Sequence, residues 1–339
     1  MSKYWNIYEI LPYQRMFNFI NAPRSIGKSY TTQKFMIDKA INKGIEFIYI
    51  VRTIKQLENG VFKDAFKKVI NNEFGQYQIE FTNDTAYIIN DDVKTIIGYC
   101  LALSDYTNNK LKSYPLVKYT MFDEYMLEAD STSRYVNGWR EPELLINTIH
   151  TIDREENRVI CFLLGNNTSF YNPYHMFKAF DIKPINPGEI YTNKICLYQW
   201  AIPSTELMED KEKNIFLQSL MDTAYGKYAV SGEYIDDKVV FIEKRPPLSR
   251  HVFRFSYLDI TYGVWKDNTT GKIYISNKYD PSSLHYALTT SDHTENTLLT
   301  KDKKATMLKW LASNYKIGNV KFESMEIKSR SIDAINKLL

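Results

Sequence analysis

A glycine, a lysine and a serine stand together at positions 27–29, between a predicted strand and a predicted helix. Glycine lets backbone N–H groups turn toward a phosphate, lysine spans neighbouring phosphates, and the serine hydroxyl ligates Mg²⁺. The segment therefore predicts a phosphate-binding loop in which alanine replaces the first glycine, although a chance tripeptide at a helix start is the alternative. The predicted ATP-binding residues are Ala22, Pro23, Arg24, Ser25, Ile26, Gly27, Lys28, Ser29 and Tyr30, with Mg²⁺ at Ser29.

Two adjacent carboxylates, Asp123 and Glu124, follow the apolar stretch 119–122. ATP hydrolysis needs one carboxylate that helps to position Mg²⁺ and a second that orients the attacking water. We predict that Asp123 lies at the metal and that Glu124 is the general base. The alternative is an acidic strand end exposed to solvent. The adjacent glutamate favours hydrolysis, because a small-molecule kinase has no need to activate water.

Two further polar positions lie around the predicted strand 158–164. Asn166 follows its end, where an amide could sense the γ-phosphate or hold the water, or could serve only as a turn residue. Arg154 precedes the strand in a charged run. An arginine on the rim of an ATPase core can complete the site of a neighbouring subunit, but the residues alone favour a solvated charge run.

The first 200 residues predict the elements that must position these side chains. Apolar runs alternate with helix-like stretches, which is typical of a parallel sheet flanked by helices. The predicted strands are 15–20, 45–51, 116–122 and 158–164, with two or three short strands within 76–104. The predicted helices are 28–42, 56–70 and 141–150. Beyond a connector with a helix-like stretch at 211–224, the strands 252–257, 261–265 and 272–276 and helices at 301–314 and 329–339 predict a smaller α+β unit.

Composition bounds the class of protein. The 339 residues contain no apolar run long enough to span a bilayer and no signal-peptide core, which predicts a soluble intracellular protein without a membrane partner. Three scattered cysteines predict buried free thiols in a reducing compartment. Residues 238–339 carry 17 Lys and Arg against 10 Asp and Glu, whereas residues 1–237 carry 26 against 30. This asymmetry favours a polyanionic partner for the C-terminal part, although a basic surface that only confers solubility would look the same.

Several further motifs are spread over both predicted units. They are Asn18-Phe-Ile with Ile26-Gly-Lys-Ser-Tyr30, Glu46-Phe-Ile-Tyr49, Phe122-Asp-Glu124, Asn172-Pro-Tyr174, Val240-Phe-Ile-Glu-Lys-Arg245, Tyr262-Gly-Val-Trp265 and Leu288-Thr-Thr290. In these motifs, and over nearly the whole chain, the sequence resembles the small tailed-phage genome-packaging ATPases of the phi29 type.

The resemblance implies an ASCE-type P-loop ATPase domain at 1–203 with a central parallel sheet, a helical linker at 204–237, and a nuclease-inactive RNase H-like domain at 238–339. It implies a homopentameric ring that uses ATP and Mg²⁺ to drive double-stranded DNA into an empty capsid. The expected partners are the portal or connector, the capsid and a capsid-bound structural RNA, and the expected location is the host-cell cytoplasm and transiently the portal vertex. It also places an arginine finger at Arg154 and a second trans-acting cation at Lys110.

Basic residues outside the phosphate loop are the candidates for nucleic-acid contacts. Lys55 and Arg134 are candidates for sequence-neutral phosphate contacts, with ordinary surface cations as the alternative. Asp259 and Asp280 could be nuclease remnants, but a metal nuclease needs three or four converging carboxylates, which favours a scaffolding role. Two other functions stay open on the residues alone: a phosphotransferase acting on a small molecule, and a nucleic-acid-binding scaffold with a vestigial nucleotide site.

Overall fold

The computed structural model describes residues 3–109, 112–127, 134–219, 223, 240–300 and 306–339. The chain divides into two compact units, Met1–Asp236 and Asp237–Leu339. Among the described residues, no helix combines the length and the apolar character needed to cross a membrane. Cys100, Cys161 and Cys196 are all buried free thiols, as predicted.

A single nine-stranded sheet runs through the described part of the larger unit. Its strand order is β3-β4-β5-β2-β6-β7-β1-β9-β8, and the six strands from β5 to β9 in this order are mutually parallel. The edges are antiparallel. The strands are β1 Phe17–Ala22, β2 Glu46–Val51, β3 Gln78–Phe81, β4 Thr85–Asn90, β5 Val93–Ala102, β6 Val117–Asp123, β7 Ile160–Asn166, β8 Ile190–Thr192 and β9 Cys196–Trp200.

Helices cover both faces of this sheet and close two hydrophobic cores. One core contains Phe35, Met36 and Ile37 of α1, and the other contains Leu145 and Ile149 of α5. The central strands are buried on both faces, which explains their continuous apolar runs. The helices are α1 Lys28–Lys43, α2 Ile54–Glu58, α3 Val61–Glu73, α4 Tyr106–Asn109, α5 Glu141–Asp153, α6 Thr205–Glu212 and α7 Ile215–Gln218.

The smaller unit has a six-stranded sheet of order β14-β13-β10-β11-β12-β15. Strands β10, β11 and β12 form an antiparallel meander, and the outer strands join it in parallel. Two helices pack on it through Leu308, Leu311, Ile327 and Ile335. The elements are β10 Arg250–Tyr257, β11 Ile260–Lys266, β12 Ile273–Ser276, β13 His285–Ala287, β14 Leu298–Leu299, α8 Thr306–Lys316, β15 Val320–Phe322 and α9 Met325–Leu338.

The predicted fold class, a parallel α/β sheet with a smaller α+β unit, is confirmed, but several element bounds were wrong. The stretch 56–70 is two helices, because Gly60 adopts a left-handed φ of 74° between them. The stretch 211–224 is not one helix: α6 begins earlier, at the Ser204 cap, and α7 begins at the Asn214 cap. The last helix begins at the Ser324 cap, before position 329. In the predicted helix 301–314, residues 301–305 lie outside the described residues.

Candidate functional site

The loop between β1 and α1 has the backbone geometry of an anion site. Gly27 caps α1 with a left-handed φ of 93°, and an added Cβ there would lie 3.1 Å from the Cβ of Tyr4. Ser25 is also left-handed, with a φ of 65°. The first turn of this 16-residue helix contains no acidic residue. The free N–H groups and the positive end of the helix dipole therefore remain available to a phosphate.

The Lys28 side chain lies inside this loop. Its Nζ donates to the carbonyl oxygens of Ala22 at 3.0 Å and Pro23 at 3.2 Å, and lies 3.4 Å from Oδ1 of Asn166. Burial lowers the pKa of Lys28, an effect that the charge of Asp123 opposes. An anionic ligand in the loop would likewise favour the charged ammonium.

Asp123 ends β6 directly opposite the start of α1. Burial raises the pKa of Asp123, whereas a hydrogen bond with the Ser29 side chain and the charge of Lys28 oppose that rise. A hydroxyl and a carboxylate beside a phosphate loop fit Mg²⁺, which takes few protein ligands and keeps water and phosphate oxygens. No group of three or more His, Cys, Asp or Glu side chains suited to a metal occurs in the described part of the chain.

Glu124 follows in a left-handed conformation with a φ of 55°. Its N–H donates to Oδ1 of Asp123 at 3.1 Å, and the residue is exposed at the cleft. The turn thus separates the two carboxyl groups, so that Asp123 is half-buried and hydrogen-bonded with Ser29, whereas Glu124 is exposed to solvent. This arrangement suits one metal-side carboxylate and one that holds a water.

Strand β7 lies between β1 and β6 in the sheet, and this order brings Asn166 into the site. Ala22 pairs with Asn166, and Asp123 pairs with Leu164. The carboxyl ends of the three parallel strands therefore meet at one edge. One cleft is lined by Arg24, Ser25, Ile26, Gly27, Lys28, Ser29, Tyr30, Asp123, Glu124, Leu164, Gly165 and Asn166. Ala22 and Pro23 contribute to the site through their backbone carbonyl groups, which accept hydrogen bonds from Lys28.

Arg154 lies at the other end of the strands, near the amino end of β7. It caps the C-terminus of α5 just before β7 begins, whereas Asn166 ends that seven-residue strand, a separation of about 20 Å along the strand. The buried Asp153 fixes the loop by accepting N–H groups from Asn157, Arg158 and Val159. The Arg154 side chain is exposed and forms no hydrogen bond or ion pair with the described residues, whereas its backbone N–H donates to the His150 carbonyl at 2.9 Å. Arg154 does not line the cleft of the phosphate loop.

Lys55 and Arg134 do not line the cleft. Lys110 lies outside the described residues. Lys55 is exposed on α2 and Arg134 is exposed before the α5 entry loop.

Sequence reasoning missed a buried ion pair behind the acidic strand end. Arg52, at the end of β2, contacts Glu141 at 2.9 Å, and both side chains are buried. Its guanidinium also donates to the backbone carbonyls of Glu124 and Tyr125, and Tyr174 donates to Glu141 at 2.8 Å. The pair therefore fixes the turn after Asp123 against the start of α5. Only the apolar run before Arg52 and the helix start at Glu141 hinted at it.

In the smaller unit the acidic residues hold turns. Asp292 accepts the N–H groups of Leu258 and Asp259 at 2.9 and 2.7 Å, and Asp280 accepts from Ser282. Leu258 and Asp259 are both left-handed in the turn between β10 and β11. The contacts of the Asp280 carboxylate are in line with a scaffolding role, whereas Asp259 takes part in its turn through its backbone N–H.

Comparison with known proteins decides the family. The family model of the Podovirus DNA encapsidation protein (Gp16) matches residues 1–338. The chain belongs to this family. The DNA packaging protein of Bacillus phage phi29 is 32% identical over 99% of this chain and 98% of its own length, and that of Bacillus phage B103 is 30% identical over 97% and 99%. This Gp16-family chain is thus a phage DNA packaging protein.

Solved structures agree with this assignment. A chain of the bacteriophage phi29 viral genome packaging motor assembly is similar over the full length of both chains, with 30% identity and a TM-score of 0.73. The N-terminal domain of the phi29 DNA packaging ATPase matches 60% of the Gp16-family chain and 98% of its own, with 28% identity and a TM-score of 0.50.

Proposed function

We propose that this Gp16-family protein hydrolyses ATP to move double-stranded DNA into an empty phage capsid. The observation that carries the proposal is the convergence, in one cleft, of the phosphate loop with Lys28, Ser29, Asp123 and Glu124. Each side chain has the chemistry of one step of hydrolysis. The similarity of the whole chain to a protein of a packaging motor assembly supports the use of that energy for DNA transport.

The cleft residues have separable roles. Lys28 and the loop N–H groups bind the phosphates, and Ser29 and Asp123 would hold Mg²⁺. When bound, the metal supplies positive charge that offsets the charge of the phosphate oxygens. Glu124 orients the attacking water and accepts its proton, and Asn166 contacts the γ-phosphate or that water. Arg24, Ser25, Ile26, Gly27 and Tyr30 shape the nucleotide cleft.

Arg154 acts in trans on the cleft of the next subunit, together with Lys110. An exposed arginine on a tightly held loop, remote from its own cleft, suits a residue that completes a neighbouring site. The proposal therefore includes a homo-oligomeric ring, a pentamer by resemblance. The ring works at the portal vertex with the portal, the capsid and a structural RNA.

We assign the ATPase to 1–203, the linker to 204–237 and a nuclease-inactive, nucleic-acid-binding domain to 238–339. Lys55 and Arg134 are proposed phosphate contacts for DNA.

The ATPase rate, measured with and without double-stranded DNA and empty capsids, tests the function. We expect stimulation by DNA and capsids together, and a loss of at least 100-fold in Glu124→Gln with ATP binding retained. Turnover that requires a small-molecule acceptor and ignores DNA would instead indicate a phosphotransferase. ATP binding without hydrolysis under every condition would indicate a scaffold.

Mixed rings test the trans role of Arg154. Lys28→Ala and Arg154→Ala should each lower the ATPase rate about 1000-fold or more. In an equal mixture, about one quarter of the interfaces should pair an intact loop with an intact neighbouring Arg154 and regain activity, because subunits of a symmetric ring assemble at random. Absence of recovery at every mixing ratio would contradict action in trans.

A further inference from the structure

A second buried lysine reaches the phosphate loop from outside the loop motif. Lys211 lies in α6, only 7% of its surface is exposed, and its Nζ donates to the carbonyl oxygen of Arg24 at 2.9 Å. Lysine is almost never fully buried unless its ammonium has a partner. Here the partner of the Lys211 ammonium is a backbone carbonyl of the phosphate loop.

The contact fixes the direction of a loop N–H group. In a trans peptide the C=O of one residue and the N–H of the next point in opposite directions. Because Lys211 holds the Arg24 carbonyl toward α6, the N–H of Ser25 points away from α6. Ser25 has a left-handed φ of 65° and lines the nucleotide cleft. Successive N–H groups in such a conformation form a concave anion site.

Electrostatics at the loop favour an anionic ligand there. The charges of Lys211 and Arg24 both help to lower the pKa of Lys28, although desolvation is the larger cause. Burial lowers the pKa of Lys211 itself to about 8. Lys28, Lys211 and Arg24 thus place three positive charges close together at a short loop. A negatively charged ligand in the cleft would reduce the repulsion between them.

A second set of contacts joins α6 to the same loop through residues 3–5. Lys3 forms ion pairs with Glu206 at 3.1 Å and Asp210 at 2.6 Å on α6, and Ser204 donates to the Lys3 carbonyl at 2.8 Å. Two residues further on, the Trp5 N–H donates to the carbonyl of Ile26 at 2.9 Å. Helix α6 is therefore connected to both ends of the loop segment 24–26.

We propose that Lys211 is a positioning residue that orients the Ser25 N–H for phosphate binding and couples occupancy of the loop to α6. The inference rests on the proposed function, because it concerns the same ATP site. Phosphate binding at the loop draws the Arg24–Ser25 peptide into one orientation and thereby strengthens the Lys211 contact. Helix α6, the first helix after the last strand of the large sheet, then becomes more ordered when ATP is bound.

The test compares Lys211→Met with Lys213→Met in the full chain. Lys213 is the matched control, since it is an exposed lysine at the end of the same helix. We expect Lys211→Met to bind a fluorescent ATP analogue about tenfold more weakly, the loss typical of a hydrogen bond with a charged donor. Its KM for ATP should rise with kcat changed little, whereas Lys213→Met should stay within about twofold of wild type.

Hydrogen exchange separates positioning from simple stabilisation. In wild type and Lys213→Met, a saturating non-hydrolysable ATP analogue should slow exchange of the α6 amides 207–211. In Lys211→Met the saturated protein should show no such slowing. Two results would overturn the inference: an unchanged affinity of Lys211→Met for the ATP analogue, or exchange of the α6 amides in wild type that does not change when nucleotide binds. The wild-type measurement decides this even if the variant does not fold. A wild type that binds no nucleotide at all would instead refute the proposed function.

Discussion

At the scale of single residues, a chain of hydrogen bonds from His175 joins the segment before the phosphate loop to the segment after Asp123-Glu124. The Nε2 of His175 lies 2.7 Å from the Tyr125 hydroxyl, which donates to Oδ1 of Asn21 at 2.5 Å. A tyrosine has one proton to donate, so the histidine donates its Nε2–H, and burial of the ring favours its neutral form. Asn21 precedes the phosphate loop and Tyr125 follows Asp123-Glu124. Burial lowers the pKa of His175 to about 3.

This environment predicts a specific pH dependence of stability. The folded state keeps His175 neutral, whereas the unfolded chain takes up a proton below a pKa of about 6.5. The unfolded state therefore binds more protons between about pH 6.5 and 3, and stability is lost as the pH falls through that window. We expect a loss of about 2 kcal/mol at pH 5, measured by urea unfolding. His175→Gln keeps a donor without titrating and should show a smaller slope; equal slopes would contradict the assignment.

At the scale of elements, the Arg52–Glu141 pair joins β2, the turn after β6 and the start of α5. The pair is buried, and the guanidinium also stacks near Phe122 at 5.0 Å and Tyr135 at 5.4 Å. Burial raises the pKa of Glu141, while the charge of Arg52 opposes that rise. Removal of one partner would leave an uncompensated charge in this environment.

A double-mutant cycle measures this coupling between elements. We expect Glu141→Gln and Arg52→Met each to lower the free energy of unfolding by about 3 kcal/mol or more. The double variant should cost at least about 1 kcal/mol less than the sum, because the two side chains are in contact. Lys94 and Glu80 form an exposed pair at 2.6 Å and serve as the control, with an expected coupling much smaller than that of the buried pair because solvent screens their charges. Additive effects at Arg52 and Glu141 would argue against the pair as the link.

At the scale of the whole molecule, positive charge is concentrated in the second unit. Residues 238–339 have a net charge of +7, whereas the chain as a whole has +3. Arg250 and Lys266 are exposed and directly paired across β10 and β11. Like charges opposite one another destabilise a sheet slightly. A polyanion bound at this position would offset that cost.

The paired cations predict a salt-dependent nucleic-acid contact. Arg250→Gln/Lys266→Gln should weaken binding of the full chain to double-stranded DNA and lower the slope of log K against log salt by about 2, one counterion for each lost phosphate contact. Lys309→Gln/Lys316→Gln removes two exposed lysines from α8 instead and is the matched control. The prediction fails if both double variants change the slope equally.

Local signals in the sequence were sufficient for the elements that carry the cleft. The Gly27-Lys28-Ser29 junction predicted the start of α1 at the correct residue, since a left-handed glycine before a helix is a local requirement. The strand preceding the loop and the strand preceding Asn166 were each predicted two residues too early, at Arg15 and Arg158. Arg158 lies outside β7 because its N–H and that of Val159 donate to the Asp153 carboxylate instead of to a neighbouring strand. The apolar pattern of the strand gives no signal of this side-chain contact.

The sequence by itself determined which residues have the chemistry for phosphate, metal and water, and that they follow strands of one parallel sheet. Only the tertiary structure decided that β7 lies between β1 and β6. This order brings Asn166 beside Lys28 and leaves Arg154 at the amino end of β7. Only the tertiary structure paired Arg52 with Glu141 and Lys211 with the loop. The physical reason is that residue type and spacing act over a few positions. Strand order and buried charge pairs depend on which distant surfaces pack together and exclude water.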